Sequence, residues 1–237
     1  MADEEPHQVA VWPELLLTDW RSTRETLHLW TQVVGKVRVA LAPWVNHSWQ
    51  SALYVTARGL TTSPMPHGDR SLQIDFDFLD HELILRTTPG RELRLALRAC
   101  SVADFYFAVE EALETVGAPV QIHGRPSEIP DAVPFAEDHA HAAYDREYAE
   151  RFWRVLAAAE RVFRQHRSGF IGKSSPVHFF WGSFDLAVTR FSGRRAPTHP
   201  GGVPGLPDTV VREAYSHEVF SVGFWPGGAG LEEPVFY

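Results

Sequence analysis

The sequence predicts an α+β protein: antiparallel sheet with about three helices packed on it, built as two pseudo-equivalent halves or as one compact domain. Three observations carry this. Residues 71–98 alternate apolar and polar side chains in three short runs, residues 146–167 hold an apolar stripe of helical period, and one string of residues occurs twice. In its first copy Pro43, His47, Trp49, Leu53, Val55, Thr56 and Arg58 precede a loop with Pro64, His67 and Gly68. In the second, Pro176, His178, Trp181, Leu186, Val188, Thr189 and Arg190 precede a loop with Pro197, His199 and Gly201, at a nearly constant offset. The Leu-x-Val-Thr stretches are ordinary strand pattern. What carries information is the shared order around them of helix, Gly-Lys pair, strand, loop and strand.

Taken in order, the first helix is expected over 22–34. Ser22 and Glu25 spell a capping box, Leu27, Trp30 and Val34 recur at helical spacing, and Gly35 is placed to end the helix. Strands are expected at about 37–42 and 52–58. The segment 71–98 reads as a three-stranded meander. Leu72, Ile74, Phe76 and Phe78 alternate with Gln73, Asp75 and Asp77, and turns fall at Asp80-His81 and Pro89-Gly90. A second helix fits 102–116, with Ser101 as its cap and Asp104 three residues on, and a short strand fits 119–123.

From Arg125 to about His141 the chain is Pro-rich, acidic and without period, which marks a linker. This sets a first half at 1–124, a linker at 125–142 and a second half at 143–237. Within the second half, Tyr148, Phe152, Val155, Ala159 and Val162 form the apolar stripe of a helix over about 146–167, with Glu150–Arg154 and Glu160–Arg164 as i,i+4 pairs. Strands follow at about 178–191 and 211–224, separated by a Pro/Gly loop over 192–208 that is long enough to serve a function.

Composition narrows the function classes. A formal charge of −8 argues against nucleic acid, whose binding needs a basic surface. No run of about 18 apolar residues is present, so no membrane span is expected. The single cysteine, Cys100, forms no internal disulfide, which fits a reducing cytoplasm. Gly172-Lys173-Ser174 has the end of a phosphate-binding loop, but Arg167 stands where its first glycine belongs. Asp75 and Asp77 share a strand face near Arg94 and Arg98, where cross-strand ion pairs are expected.

The second copy of the repeated string holds the sharpest candidates. Asp185 interrupts an apolar strand, and a carboxylate there must be paired or belong to a site. Its bland reading is a salt bridge to a nearby arginine. Its functional reading makes Asp185 and His178 the catalytic pair, with Arg190, Arg194 and Arg195 holding an anionic group and His47, His67 and His199 around the same cleft. Neither a metal-ligand spacing nor a cofactor motif stands out among the 12 histidines. His139 and His141 read as part of a solvated segment, and His217 and Glu218 point to opposite faces of a strand.

The runs Thr26–Pro43, Leu53–Pro64, Ser175–Pro197 and Arg212–Gly227 resemble a family of bacterial proteins known only as a domain of unknown function. The resemblance spans nearly the whole chain and implies a cytosolic bacterial protein. It supplies no activity, cofactor or catalytic residue. Chains that resemble this one run on past the final Phe236-Tyr237, so part of the core or site is expected beyond it.

The leading functional expectation is a small-molecule-binding protein or enzyme with an Arg/His/Asp-lined cleft between the two halves, formed by the two Pro/His/Gly loops and the strands that precede them. A non-catalytic interaction module is the alternative, and a metal-dependent hydrolase using His178, His199 and His217 is the weaker one. Reaction, ligand, cofactor and oligomeric state are not fixed by the sequence.

Overall fold

Helix α1 (Leu17–Leu41) runs beyond its sequence pattern at both ends. A computed structural model describes residues 11–228 and 230–237. Ser22 lies inside the helix, where its carbonyl accepts a hydrogen bond from Thr26 Oγ1 at 2.9 Å, so the expected capping box does not form. Gly35 does not end the helix either. A β-carbon there would stand 2.4 Å from the Trp181 indole, so the glycine serves close packing. The strand expected at 37–42 is the last turns of α1. Lys36, Val37, Arg38 and Val39 alternate like a strand, yet Val37 lies one turn after Val33 and Val34 on the buried face, and that packing decides.

A short 3-10 segment (Asn46–Ser51) leads into β1 (Tyr54–Val55), β2 (Gly59–Thr61) and β3 (Met65–His67). The expected strand at 52–58 is therefore much shorter. The meander is present as β4 (Arg70–Asp77), β5 (Glu82–Thr87) and β6 (Arg91–Ala96), all antiparallel. Its alternating apolar side chains Leu72, Ile74 and Phe76 are fully buried, as burial of one face requires. Its acids are paired by arginines other than those expected. Asp75 bonds Arg86 at 2.5 Å and Asp77 bonds Arg58 at 2.5 Å, while Arg94 pairs with Glu82 and Glu92.

Helix α2 (Val102–Thr115) is capped as the sequence indicates, with Ser101 Oγ accepting from the Asp104 N–H at 3.0 Å. Residues 119–123 join no ladder; Val120 and Ile122 pack on the core instead. The Pro-rich segment is ordered by specific bonds. The Ala103 N–H donates to Asp138 O, the Val102 N–H to His141 O, and the Ala143 N–H to Thr26 Oγ1.

Helix α3 (Arg146–Ser168) buries Phe152, Val155 and Ala159, while Val162 is exposed. Strands β7 (His178–Phe180) and β8 (Asp185–Arg195), helix α4 (Asp208–Ala214), β9 (His217–Trp225) and β10 (Val235–Phe236) complete the chain. Residues 211–214, expected as strand, thus belong to a helix. A second sheet has the order β10-β9-β8-β7. It meets the first sheet through Leu53 and Phe179, which exchange both backbone N–H···O bonds at 2.9 Å.

One core runs through both sheets and all three long helices. Trp20 of α1 packs on Phe152 of α3 with ring centroids 5.2 Å apart, and Phe152 stacks on Phe184 at 5.0 Å. The two repeated strings take different local structures. His47 and Ser48 have left-handed backbone in a 3-10 segment, whereas His178 sits in a strand. Among the described residues, no helix is long and apolar enough to cross a membrane.

Candidate functional site

Four polar side chains recur every fourth residue along α1: Arg24, His28, Gln32 and Lys36. All four are buried. Residues four apart lie above one another on a helix, so they form a polar stripe inside the protein. Such a stripe is costly unless its groups are satisfied or serve a site.

Its lower half faces a cavity of about 740 Å³. The walls are α1, the Pro-rich segment 126–141, the turn at Gly182–Ser183 with Asp185, and Trp225 and Tyr237 near the end of the chain. The volume suits a small molecule. The Pro-rich segment is pinned beside it by the stripe. Gln32 Oε1 accepts from the Ser127 N–H at 2.7 Å, Gln32 Nε2 donates to Ser127 O at 3.0 Å, and Lys36 Nζ donates to Ser127 Oγ at 2.9 Å. The next residue, Glu128, is held at φ 61, a left-handed conformation uncommon outside glycine. Its carboxyl lies flat against Gly182, where a β-carbon would come within 2.0 Å of Oε1.

Glu128 and Asp185 form a carboxyl pair on this wall. Burial, then the Asp185 charge, pushes Glu128 up to about 7. Burial also pushes Asp185 up, against hydrogen bonds donated by Ser183 Oγ and the Tyr237 hydroxyl that favour its charged form. Two neighbouring carboxyls cannot both ionise cheaply, so the pair retains a proton near neutral pH.

Across the cavity, Arg24 makes no close ion pair with a described carboxylate, although the charge of the neighbouring Glu25 acts on it, and its Nε has no hydrogen-bond partner. Burial lowers its pKa. The guanidinium lies 5.5 Å over the Phe184 ring, and Gly228 roofs it so closely that a β-carbon would stand 2.6 Å from Cζ. His28 Nε2 lies 2.8 Å from Gly182 O and 3.1 Å from Gln32 Nε2. Burial, then Arg24, lowers His28 to about 4, and the ring is neutral. At the far end of the cavity, Asp138 Oδ2 accepts from His141 Nδ1 at 2.7 Å, and Oδ1 accepts from the Ala140 and His141 N–H groups. With Nδ1 committed to Asp138, Nε2 is the ring nitrogen of His141 left for a ligand.

Of the candidate site residues named from the sequence, only Asp185 lines this cavity. Its expected salt bridge to an arginine is absent, since its partners are Ser183 and Tyr237. His178 is fully buried among Trp49, Tyr54 and Phe180, and burial, then Arg38, lowers it to about 3. His47 also contacts Trp49, with Nε2 2.8 Å from Lys173 Nζ. The other histidines are placed separately: His67 Nε2 is 3.4 Å from Pro119 O, and His199 stacks on Tyr215. Arg190 donates to His166 O, Arg194 pairs with Glu218, and Arg195 sits opposite His217 at the far end of β8. The two Pro/His/Gly loops therefore do not line this cavity, although Asp185, on the strand that precedes the second of them, does. Among the described residues, no three His, Cys, Asp or Glu side chains gather to hold a metal ion.

Arg24, His28, Glu128 and Asp138 carry no site role in the sequence reading, and His141, expected in a solvated segment, instead lines the cavity and bonds Asp138. The i,i+4 polar stripe was the available signal, on a helix whose apolar positions were already recognised. Glu128 and Asp138 offered none, because an acidic Pro-rich stretch looks the same whether solvated or pinned.

A family model described as a family of unknown function (DUF5996) matches residues 12–237. No curated protein and no solved structure matches the chain.

Proposed function

The chain belongs to that family of unknown function, and from this premise we propose that it is an enzyme acting by acid–base chemistry on a small anionic substrate. One observation carries the reading. The buried guanidinium of Arg24, with no close ion pair among the described residues, shares a cavity of about 740 Å³ with the Glu128–Asp185 carboxyl pair. A planar fork in that position suits a carboxylate or phosphate group, and binding would supply the charge that Arg24 lacks. Glu128, near 7, is matched to giving or taking a proton at neutral pH. His141, oriented by Asp138, adds a ring nitrogen at the opposite end. A cavity lined in this way supports an enzyme over a non-catalytic interaction module.

Thermal-shift measurements over a panel of carboxylates, sugar phosphates and nucleoside monophosphates test this. At least one anion is expected to raise the Tm of the wild type with a saturable dose response and to leave Arg24→Gln unmoved. Glu128→Gln should bind that anion and fail to convert it. A wild type that answers to none of the panel, or an equal response in Arg24→Gln, overturns the proposal.

A further inference from the structure

A second cavity, of about 290 Å³, opens on the other side of the wall made by Glu128 and Gly182. Lys36, the last member of the polar stripe, lines it together with Trp44, Phe180, Trp181, Leu206 and Val210. The walls are thus mostly apolar and partly aromatic, with one cation among them.

Two independent features point to a ligand. The first is Lys36 itself. Its side chain is buried, its ammonium lies 5.6 Å over the Trp181 ring, and one hydrogen bond, to Ser127 Oγ, uses one of its three donors. No described carboxylate pairs with it, including Glu128 on the same wall, whose carboxyl is turned against Gly182. The second is Trp44, which is 59% exposed at this cavity, beside the exposed Val39. An indole left in water next to an apolar hollow is surface that an apolar ligand would cover.

We propose that this second cavity binds a small planar aromatic carboxylate, with its acid group on Lys36 and its ring against Trp44 and Trp181. The occupant follows from complementarity. One compact ammonium in an apolar setting matches a single negative charge, whereas a phosphate dianion would be left half-neutralised. Flat aromatic walls select a flat ring, and the volume, at the small end of ligand pockets, limits the ligand to one or two rings. The site is separate from the Arg24 cavity and does not depend on the enzyme reading.

Isothermal titration and saturation-transfer NMR with 2-naphthoate, and with 2-naphthamide as its uncharged counterpart, test the assignment. The expected result is saturable binding of 2-naphthoate with Kd below about 1 mM. Binding should weaken roughly tenfold or more in Lys36→Met and for the amide, as loss of a charge-assisted bond implies, and stay unchanged in Arg24→Gln. Ala40→Trp, at an exposed position on the rim, should block the cavity while keeping Lys36, and serves if Lys36→Met does not fold. No saturable binding in the wild type, equal binding in Ala40→Trp, or loss in Arg24→Gln alone overturns the proposal.

Discussion

Gly35 and Trp181 are in direct contact: the indole lies where a side chain on the glycine would begin, 2.4 Å from the ideal β-carbon position. This approach brings the turn after β7 onto the C-terminal third of α1. The same turn carries Gly182 against Glu128, so the helix, the turn and both cavities are built around one close packing.

Gly35→Ala is expected to destabilise the protein. In an exposed helix the change would add about 1 kcal/mol of stability through propensity. Here overpacking against a rigid ring costs on the order of 1–3 kcal/mol, and it should win. Thermal unfolding should show Tm several degrees lower; a higher Tm would mean that the indole moves aside freely.

Glu128→Gln should stabilise the protein above neutral pH. Glu128 titrates near 7 in the folded state and near 4.3 when unfolded, so the folded state binds more protons between those values. Stability from this group is therefore present below about pH 4, falls as pH rises to about 7, and stays low beyond, a loss on the order of 3 kcal/mol. The amide has no such loss. Urea melts at pH 4 and pH 8 should show the variant gaining on the wild type only at the higher pH.

The opposite sign is expected at Arg58. Asp77 is buried, accepts from Arg58 Nε at 2.5 Å and from the Leu79 and Asp80 N–H groups, and is held below the usual carboxylate range despite the cost of burial. Its contribution is present above the unfolded pKa and is lost as pH falls through the folded one. Arg58→Ala should thus unfold more readily than wild type at pH 7. The difference should narrow as the pH falls below the ordinary carboxylate range. A gap independent of pH would show that the ion pair is not its source.

Arg24→Met should leave the ligand-free protein as stable as the wild type or more so. A buried cation with no close ion pair among the described residues gains little to offset its desolvation, and a thioether of similar length fills the same space. A loss beyond about 1 kcal/mol in chemical denaturation would show that the contact with Phe184 makes Arg24 structural.

The α+β class, the meander and the helices at 102–115 and 146–168 were legible because each rests on local periodicity and caps. Alternation at Leu72, Ile74 and Phe76 and the stripe through Phe152, Val155 and Ala159 need no distant partner to be read. The extent of α1 was not legible, because Gly35 reads as a stop until Trp181 is placed against it. Asp185 was recognisable as a carboxylate out of place in an apolar strand. Its partners were not, because Ser183 lies in a turn and Tyr237 arrives through the pairing of β10 with β9.

Sequence alone therefore determined where apolar faces form and which residue types are anomalous on them. Only the tertiary structure decided which anomalies meet. Glu128 shares a cavity with Asp185 because Gln32 and Lys36 clamp Ser127 from a helix about ninety residues earlier in the chain. That juxtaposition leaves no local trace, since its energy lies in contacts between segments and not in the pattern of any one of them.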